Sequence, residues 1–455
     1  MGLTGTAPRG GNQEDHPTPE GGTSPVTGPT LEDVFRILRR RPDVEAPNLQ
    51  AWDATDRLLL ETASSFVRPG STVAVIGDRY GALTLGARAV LQPGALRVHQ
   101  DLITGERALQ LNAAALASHY PEAPRDPANP DPANPDSANS DSANPDSANS
   151  DSANPDSAHH DRARDDGGAP SAPGFRQLPL GPALLAGAET VLMQLPKTLA
   201  ELDEAAAAVA RYAAPEAVLL AGGRIKHMSL GMNAVLAKHF EVVQPQHARQ
   251  KSRVLLATGP RRDGEGSRFP AVEHLAELDL EVAAHGAVFA GAKLDIGTRF
   301  LLTLLPEMKP ARHAVDLGCG TGILAAMYAR RFPGAAVTAS DQSAAAVASA
   351  RATAEANGLG ERISVLQDDA LSTLPDGAAD LVLLNPPFHV GAGVHAGAGL
   401  KLIAAAGRVL EPGGELWTVF NRHLPYLPAL EREVGPTVIK GQNPKFTITL
   451  SRRRA

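Results

Sequence analysis

The sequence predicts an α/β protein of two tandem Rossmann-like domains, each a doubly wound, mostly parallel sheet. Three observations carry this. Short apolar runs alternate with Ala-rich helical stretches through both halves, the rhythm of strand–helix–strand crossovers. A glycine-rich turn follows an apolar strand in each half, Gly77-Asp78-Arg79-Tyr80-Gly81 and Gly318-Cys319-Gly320-Thr321-Gly322. Once an inserted stretch is set aside, both halves also repeat the spacing from an acid at a strand end to a Pro-containing turn.

In chain order, residues 1–29 are rich in Gly, Pro and Thr and are expected to form a disordered leader. The first domain is placed at 30–280. It has strands at Thr72–Ile76 and Thr190–Gln194, with another ending at Asp101. Residues 119–172 form an acidic low-complexity insertion whose five-residue repeat starts at Asp131, Asp136, Asp141, Asp146, Asp151 and Asp156. With no large apolar residue to bury, it reads as a solvated loop, and His159 and His160 at its end lack a spaced third metal ligand. The second domain is placed at 281–455. Its strands are expected at Ala314–Asp316, Val337–Ala339, Ile363–Leu366, Leu381–Leu384 and Leu416–Phe420. Helices are expected at Ile323–Arg331, Ala344–Asn357 and Ala396–Leu410. Asp101 and Leu195-Pro196-Lys197 are matched to Asp341 and Asn385-Pro386-Pro387, which makes the halves copies of one unit.

Composition narrows the function classes. The 455 residues are 43% hydrophobic and 20% charged, ordinary for a globular protein. No run of 18 apolar residues could span a membrane as a helix, and the N-terminus has no apolar core of a secretory signal. The single cysteine, Cys319, excludes an intrachain disulfide framework and a Cys-cluster zinc site, so a reducing cytoplasm is expected. The net charge of −7 comes from the 119–172 segment, where eleven acids face three arginines; the remainder is near +1 and neither favours nor excludes a nucleic-acid partner.

Two motifs carry chemistry. Asp316-Leu317-Gly318-Cys319-Gly320-Thr321-Gly322 joins a strand to a helix, and glycines there let the backbone lie against a ligand. Asp341, 25 residues after Asp316, ends the next strand, where a carboxylate can accept both ribose hydroxyls of a nucleoside cofactor. The second motif is Asn385-Pro386-Pro387-Phe388. Its prolines stiffen the chain and remove donors, leaving the Asn385 side-chain oxygen and the Pro386 carbonyl as acceptors for a planar amino group. Phe388 offers a stacking face. Asp368-Asp369-Ala370 follows the third strand and reads either as an N-cap or as a cofactor contact.

The glycine loop with Asp341 resembles the cofactor loop of class I S-adenosylmethionine-dependent methyltransferases. Asn385–Phe388 resembles their [DNS]-P-P-[YFW] motif for methylating conjugated amino nitrogens. Together with Val288–Arg299, Asn421-Arg422-His423-Leu424-Pro425-Tyr426 and Asn443-Pro444-Lys445-Phe446, the chain resembles the bacterial ribosomal RNA guanine-N2 methyltransferases of the RsmC/RlmG family. Within it the likeness is closest on the large-subunit side. The resemblance implies a degenerate first domain and a catalytic second one, S-adenosylmethionine as cofactor, and ribosomal RNA (23S favoured) as partner. It also implies no metal, no membrane and a monomer. Asn385, Pro386 and Phe388 would be catalytic. Asp316, Gly318, Gly320, Gly322, Asp341, Asp369, Gly297 and Thr298 would hold the cofactor, with Asp369 favoured over Asp368 for the adenine amino group. Arg422, His423 and Lys445 would contact RNA. Alternatives are guanine-N2 of small-subunit ribosomal RNA, adenine-N6 of DNA, a protein glutamine amide, and a non-catalytic RNA-binding protein. Pro444 inside the family-like Asn-Lys-Phe string and the acidic repeat are departures that bear on substrate contacts.

Overall fold

The computed structural model describes residues 28–43, 45–47, 49–120, 174–262, 267–387 and 391–455, with backbone only for 391–396. Residues 1–27 of the leader, the acidic repeat with His159 and His160, and Phe388 lie outside the described residues.

The first half runs α1 (Leu31–Ile37), α2 (Ala54–Ala63), β1 (Thr72–Ile76), α3 (Ala82–Val90), β2 (Ala95–His99), α4 (Ile103–His119), β3 (Arg176–Gln177), α5 (Pro182–Leu185), β4 (Thr190–Gln194), α6 (Leu199–Tyr212), β5 (Val218–Arg224), α7 (Leu230–His239), β6 (Phe240–Pro245) and β7 (Ser252–Pro260). The second half runs β8 (Ala271–Leu275), β9 (Leu280–Ala284), α8 (Ile296–Leu302), β10 (His313–Leu317), α9 (Ile323–Arg331), β11 (Ala336–Asp341), α10 (Ala344–Ala356), β12 (Ile363–Gln367), β13 (Ala379–Leu384), α11 (Gly391–Val409), β14 (Leu410–Asn421), α12 (Leu427–Glu433), β15 (Thr437–Gln442) and β16 (Phe446–Arg452).

The first seven-stranded sheet has the order β3-β2-β1-β4-β5-β7-β6, and the second has the same order, β12-β11-β10-β13-β14-β16-β15. In each, only the last two strands run antiparallel to their neighbours. The central strands are apolar on both faces because helices cover both faces, as β10 (HAVDL) and β13 (ADLVLL) show. Each sheet therefore separates two apolar clusters. Leu83 and Leu109 lie in one cluster of the first sheet and Val191 and Leu202 in the other. In the second half, Tyr328 and Trp417 lie on one side and Ile403 and Phe420 on the other.

The expected boundary at 280/281 falls inside the hairpin β8–β9. The backbone N–H groups of Glu281, Ala283 and His285 donate to Asn357, Thr353 and Ser349 side chains at 3.1, 3.0 and 2.9 Å. These side chains lie on or just after α10, and Leu280 and Val282 join the second core. The hairpin therefore packs with the second half, which starts near Ala271.

Candidate active site

The site lies at the carboxyl ends of β10, β11, β12 and β13, where crossovers leave a crevice. Gly318, Gly320 and Gly322 all have left-handed φ values, 73°, 54° and 77°. That conformation favours glycine, and added Cβ atoms at Gly318 and Gly320 would meet nothing within 4 Å. The loop thus presents bare backbone to open space. Asp341 braces it: its carboxylate accepts from Gly320 N at 3.0 Å and from Ser343 N at 3.0 Å. Burial raises its pKa, and the negative charge of Asp101 adds to the rise.

Asp316 is buried, and its carboxylate accepts from Ala325 N at 2.9 Å. Burial pushes its pKa to about 7. This carboxylate anchors the first turn of α9 beneath the glycine loop and does not face the open space. Cys319 is also buried, and burial pushes its thiol well above the usual range, so it is no nucleophile. Asp368 accepts from Ser372 Oγ and from both N and Oγ1 of Thr373 at 2.5–2.8 Å, so it is a structural cap. Asp369 is mostly buried, and its carboxylate accepts from Lys401 Nζ of α11 at 2.5 and 2.6 Å.

Gly297 and Thr298 open α8, whose N-cap is Asp295. The Asp295 carboxylate accepts from Gly297 N (2.9 Å) and Thr298 N (3.1 Å). It also accepts from Asn385 Nδ2 at 3.0 Å, and Nδ2 donates to Thr298 Oγ1 at 2.9 Å. Thus three residues taken separately from the sequence meet at one point. A carboxylate only accepts, so the Asn385 amide must turn its NH₂ toward Asp295. Its Oδ1 is buried and has no hydrogen-bond partner among the described residues. Buried polar atoms are nearly always paired, and an unpaired one in a crevice points to a ligand. Gly297 permits this arrangement, since a Cβ there would lie 3.1 Å from that oxygen. Pro386 is buried beside it. Asp295 was not assigned a role from sequence; its signal was an Asp directly before a helix start.

Arg422 and His423 follow β14, and Lys445 precedes β16. The structure joins them: Arg422 N donates to Lys445 O at 2.9 Å, and all three side chains are exposed. They extend past the end of β14, on the same edge as Asn385, since Leu384 of β13 pairs with Thr418 of β14. Asn443 Oδ1 accepts from Lys445 N and Phe446 N at 2.9 and 2.7 Å, so the turn closes with Pro444 in place. Among the described residues no His, Cys, Asp and Glu cluster could hold a metal ion, and no helix is long and apolar enough to cross a membrane.

In the first half, strand register corrects two sequence matches by one residue. Ile76 pairs with His99 as Leu317 pairs with Ser340, so Gln100, not Asp101, stands where Asp341 does. Ile76 pairs with Met193 as Leu317 pairs with Leu384, so Gln194, not Leu195, stands where Asn385 does. Arg79 occupies the place of Gly320 without its left-handed backbone. A Cβ on Gly77 would meet Gln194 O at 3.3 Å, where the matching space over Gly318 is open.

Comparison with known proteins follows this division. Residues 29–133 and 147–261 match the RLMG N-terminal domain, and residues 279–450 match the Methyltransferase small domain. The ribosomal RNA large subunit methyltransferase G of Stutzerimonas stutzeri is 31% identical over 93% of this chain and 99% of its own. Its namesake in Streptomyces coelicolor is 30% identical over 91% and 97%. That of Ectopseudomonas mendocina is 39% identical over 57% of this chain and 69% of its own. The solved structure of the T. thermophilus 16S rRNA N2 G1207 methyltransferase (RsmC), in complex with AdoMet and guanosine, covers 93% of this chain and 100% of its own, with a TM-score of 0.63 at 18% identity.

Proposed function

The chain belongs to the ribosomal RNA large subunit methyltransferase G family, and from that premise we propose that it methylates the exocyclic N2 of a guanine in 23S ribosomal RNA, using S-adenosylmethionine. The observation that carries the reading is the Asn385 amide, locked by Asp295 and Thr298 with its buried oxygen unpaired among the described residues. A guanine N2 amino group brings two N–H donors, and an acceptor fixed in this way suits one of them.

When bound, S-adenosylmethionine supplies an electrophilic methyl group on a sulfonium. The bare backbone at Gly318 and Gly320 and the carboxylate of Asp341 fit a nucleoside cofactor; Gly322, Gly297 and Thr298 shape its surroundings, and Asp316 braces the loop. Asp369 is the acceptor offered to the adenine amino group, next to Lys401. Asn385 Oδ1 and the Pro386 carbonyl orient the guanine amine, and Phe388 is assigned on sequence grounds to stack on the base. The base must leave its stack to reach such a crevice. Catalysis is then mostly positioning. The amine is neutral and sheds its proton after transfer, so no general base is required. Arg422 and Lys445 present cations, and His423 an imidazole, to RNA phosphates beyond the crevice. In this reading the first half binds no cofactor, because Arg79, Gln100 and Gln194 replace Gly320, Asp341 and Asn385. The protein works in the cytoplasm, as a monomer and without a metal.

The test is mass-spectrometric mapping of N2-methylguanine in ribosomal RNA from cells lacking the protein. The expected result is loss of a 23S modification, restored by the wild type and not by Asn385→Ala. A loss confined to 16S RNA would move the substrate to the small subunit, and an unchanged map would end the proposal.

A further inference from the structure

The two halves meet through the loops that follow β2 and β11. Leu102 and Ser343 form an isolated antiparallel bridge. Ile103 N donates to Gln342 O at 3.0 Å, and Ala344 N donates to Asp101 O at 2.7 Å. By register, Asp101 matches Gln342 and Ile103 matches Ala344, so this backbone pairing is two-fold symmetric. The side chains break the symmetry. Asp101 Oδ1 accepts from Ser343 Oγ at 3.0 Å and from Ala345 N at 2.9 Å, so the first half caps α10 of the second. No matching cap is returned among the described residues: Leu102, the N-cap of α4, makes no side-chain cap hydrogen bond.

The capped residue matters. Ser343 N donates to Asp341 Oδ1, and Gly320 N donates to Asp341 Oδ2, both at 3.0 Å. A continuous chain of hydrogen bonds thus runs from Asp101 through Ser343 and Asp341 into the glycine loop. A second link comes from α4, where Arg107 lies 3.7 Å from the buried carboxylate of Asp368. Asp368 in turn shapes the turn carrying Asp369 by accepting from Asp369 N at 2.7 Å. Gln367 Nε2 also donates to Asp101 O, at 3.3 Å. Both acidic turns of the crevice are therefore held from the first half.

We propose that Asp101 and Arg107 are positioning residues: the first domain, itself without a cofactor, sets the geometry of the cofactor site in the second. This rests on reading the glycine loop and Asp341 as that site. A residue that shapes the cofactor loop without touching the RNA or the amine alters cofactor affinity and leaves turnover at saturation intact.

The experiment uses the full chain with S-adenosylmethionine titrated calorimetrically, together with KM for each substrate, kcat, and thermal melting. Asp101→Ala should weaken cofactor binding and raise its KM by about five- to tenfold, the range expected for losing a helix cap. kcat at saturating cofactor and KM for RNA should stay within about twofold of wild type. Asp101→Asn keeps an acceptor oxygen and should recover most of the affinity. Arg107→Ala should show a smaller loss of the same kind. If Asp101→Ala does not fold, Ser343→Ala leaves Asp101 on Ala345 N but removes both the link from Asp101 to Ser343 Oγ and Ser343's own cap on Ala346 N, and should weaken the cofactor severalfold. Wild-type cofactor affinity in a folded Asp101→Ala or Ser343→Ala protein overturns the proposal, as does an Asn variant no better than Ala. Failure of the wild type itself to bind S-adenosylmethionine would instead sink the functional reading on which this rests.

Discussion

Replacing Asn385 by Asp probes the lock and the chemistry together. The variant is nearly isosteric, and by shape alone it should keep an acceptor. The surroundings dictate otherwise. Asn385 Nδ2 lies 3.0 Å from Asp295 Oδ2, so the substitution sets two carboxylates face to face. At that separation, with an effective dielectric constant near 20, repulsion costs on the order of 5 kcal/mol, or about 4 pKa units. Both residues are only half-buried, and screening by solvent reduces this. The pair therefore holds a shared proton at lower pH and loses it as pH rises. With the proton shared, the geometry survives and an oxygen still faces the amine; once both ionise, the side chains part. Relative to wild type at each pH, Asn385→Asp should be about tenfold slower at pH 6 and about 10²–10³-fold slower at pH 8.5, the loss typical of one well-placed polar group. Asn385→Ala should be slow by that larger factor throughout. Neither should change cofactor affinity, because Gly320 and Asp341 are untouched. The assay is transfer of a tritiated methyl group to protein-free ribosomal RNA, with cofactor titration alongside. Full activity of Asn385→Asp at pH 8.5 would refute the lock by Asp295, and near-wild-type transfer by Asn385→Ala would remove this residue from the mechanism.

Other outcomes follow from the same geometry. Asp341→Ala should cost about 1–3 kcal/mol of S-adenosylmethionine affinity, measured by calorimetry, since it removes both the acceptor and the brace on Gly320 N. Changing Arg422 and Lys445 together to Ala should weaken RNA binding and reduce its salt dependence by about one ion per residue, with cofactor affinity unchanged. Asp56→Asn should stabilise the first half in alkali. Burial, with Asp78 adding, pushes Asp56 up to about 8. The folded state therefore holds a proton that the unfolded chain releases near pH 4, and wild-type stability falls as pH rises between those values. The melting-temperature advantage of Asp56→Asn should widen up to about pH 8 and then level off, at no more than about 5 kcal/mol. An equal advantage at pH 5 and pH 8.5 would contradict the shift.

The elements that sequence patterning located best are the buried parallel strands and the helices beside them. Thr72–Ile76, Thr190–Gln194 and Ile323–Arg331 coincide with β1, β4 and α9. A strand covered on both faces is a continuous apolar run, and glycine turns mark its end. The β8–β9 hairpin escaped because its stability is not local: its residues alternate with charges, Val272 is exposed, and the partners of its backbone lie on α10. The one-residue slips at Asp101 and Leu195 have a different origin. Matching acid to acid follows chemistry, whereas the sheets align by register, and divergent copies need not keep the same side chain at the same register. The glycine loop, Asp341 and Asn385 stood out as motifs, but the Asp295–Thr298–Asn385 lock joins segments about 90 residues apart and becomes visible only in three dimensions.

The register that corrects those slips also separates what the two copies share from what they do not. Asp53-Ala54-Thr55-Asp56-Arg57 aligns with Asp295-Ile296-Gly297-Thr298-Arg299, each Asp capping the following helix. Gln194 Nε2 donates to Asp56 at 2.5 Å, just as Asn385 Nδ2 donates to Thr298. The left-handed glycine at the helix start persists too, with φ 93° at Gly81 against 77° at Gly322. These are features the fold requires: a cap, a turn, and a tie between the end of the fourth strand and the preceding helix. What differs is whatever only a ligand would need. The space above Gly77 is filled by Gln194 backbone, Gly320 has become Arg79, and the Asp341 carboxylate has become the amide of Gln100, whose Nε2 is buried without a partner among the described residues. Selection for folding alone preserves the first set and is indifferent to the second. Asp101 belongs to neither. It sits one residue past the vacated carboxylate position and turns its charge outward onto Ser343 and Ala345 N. On the proposal made above, an acid next to the position matching Asp341 serves the cofactor site of the other copy. The same proposal gives the first half a physical reason to remain attached to the second.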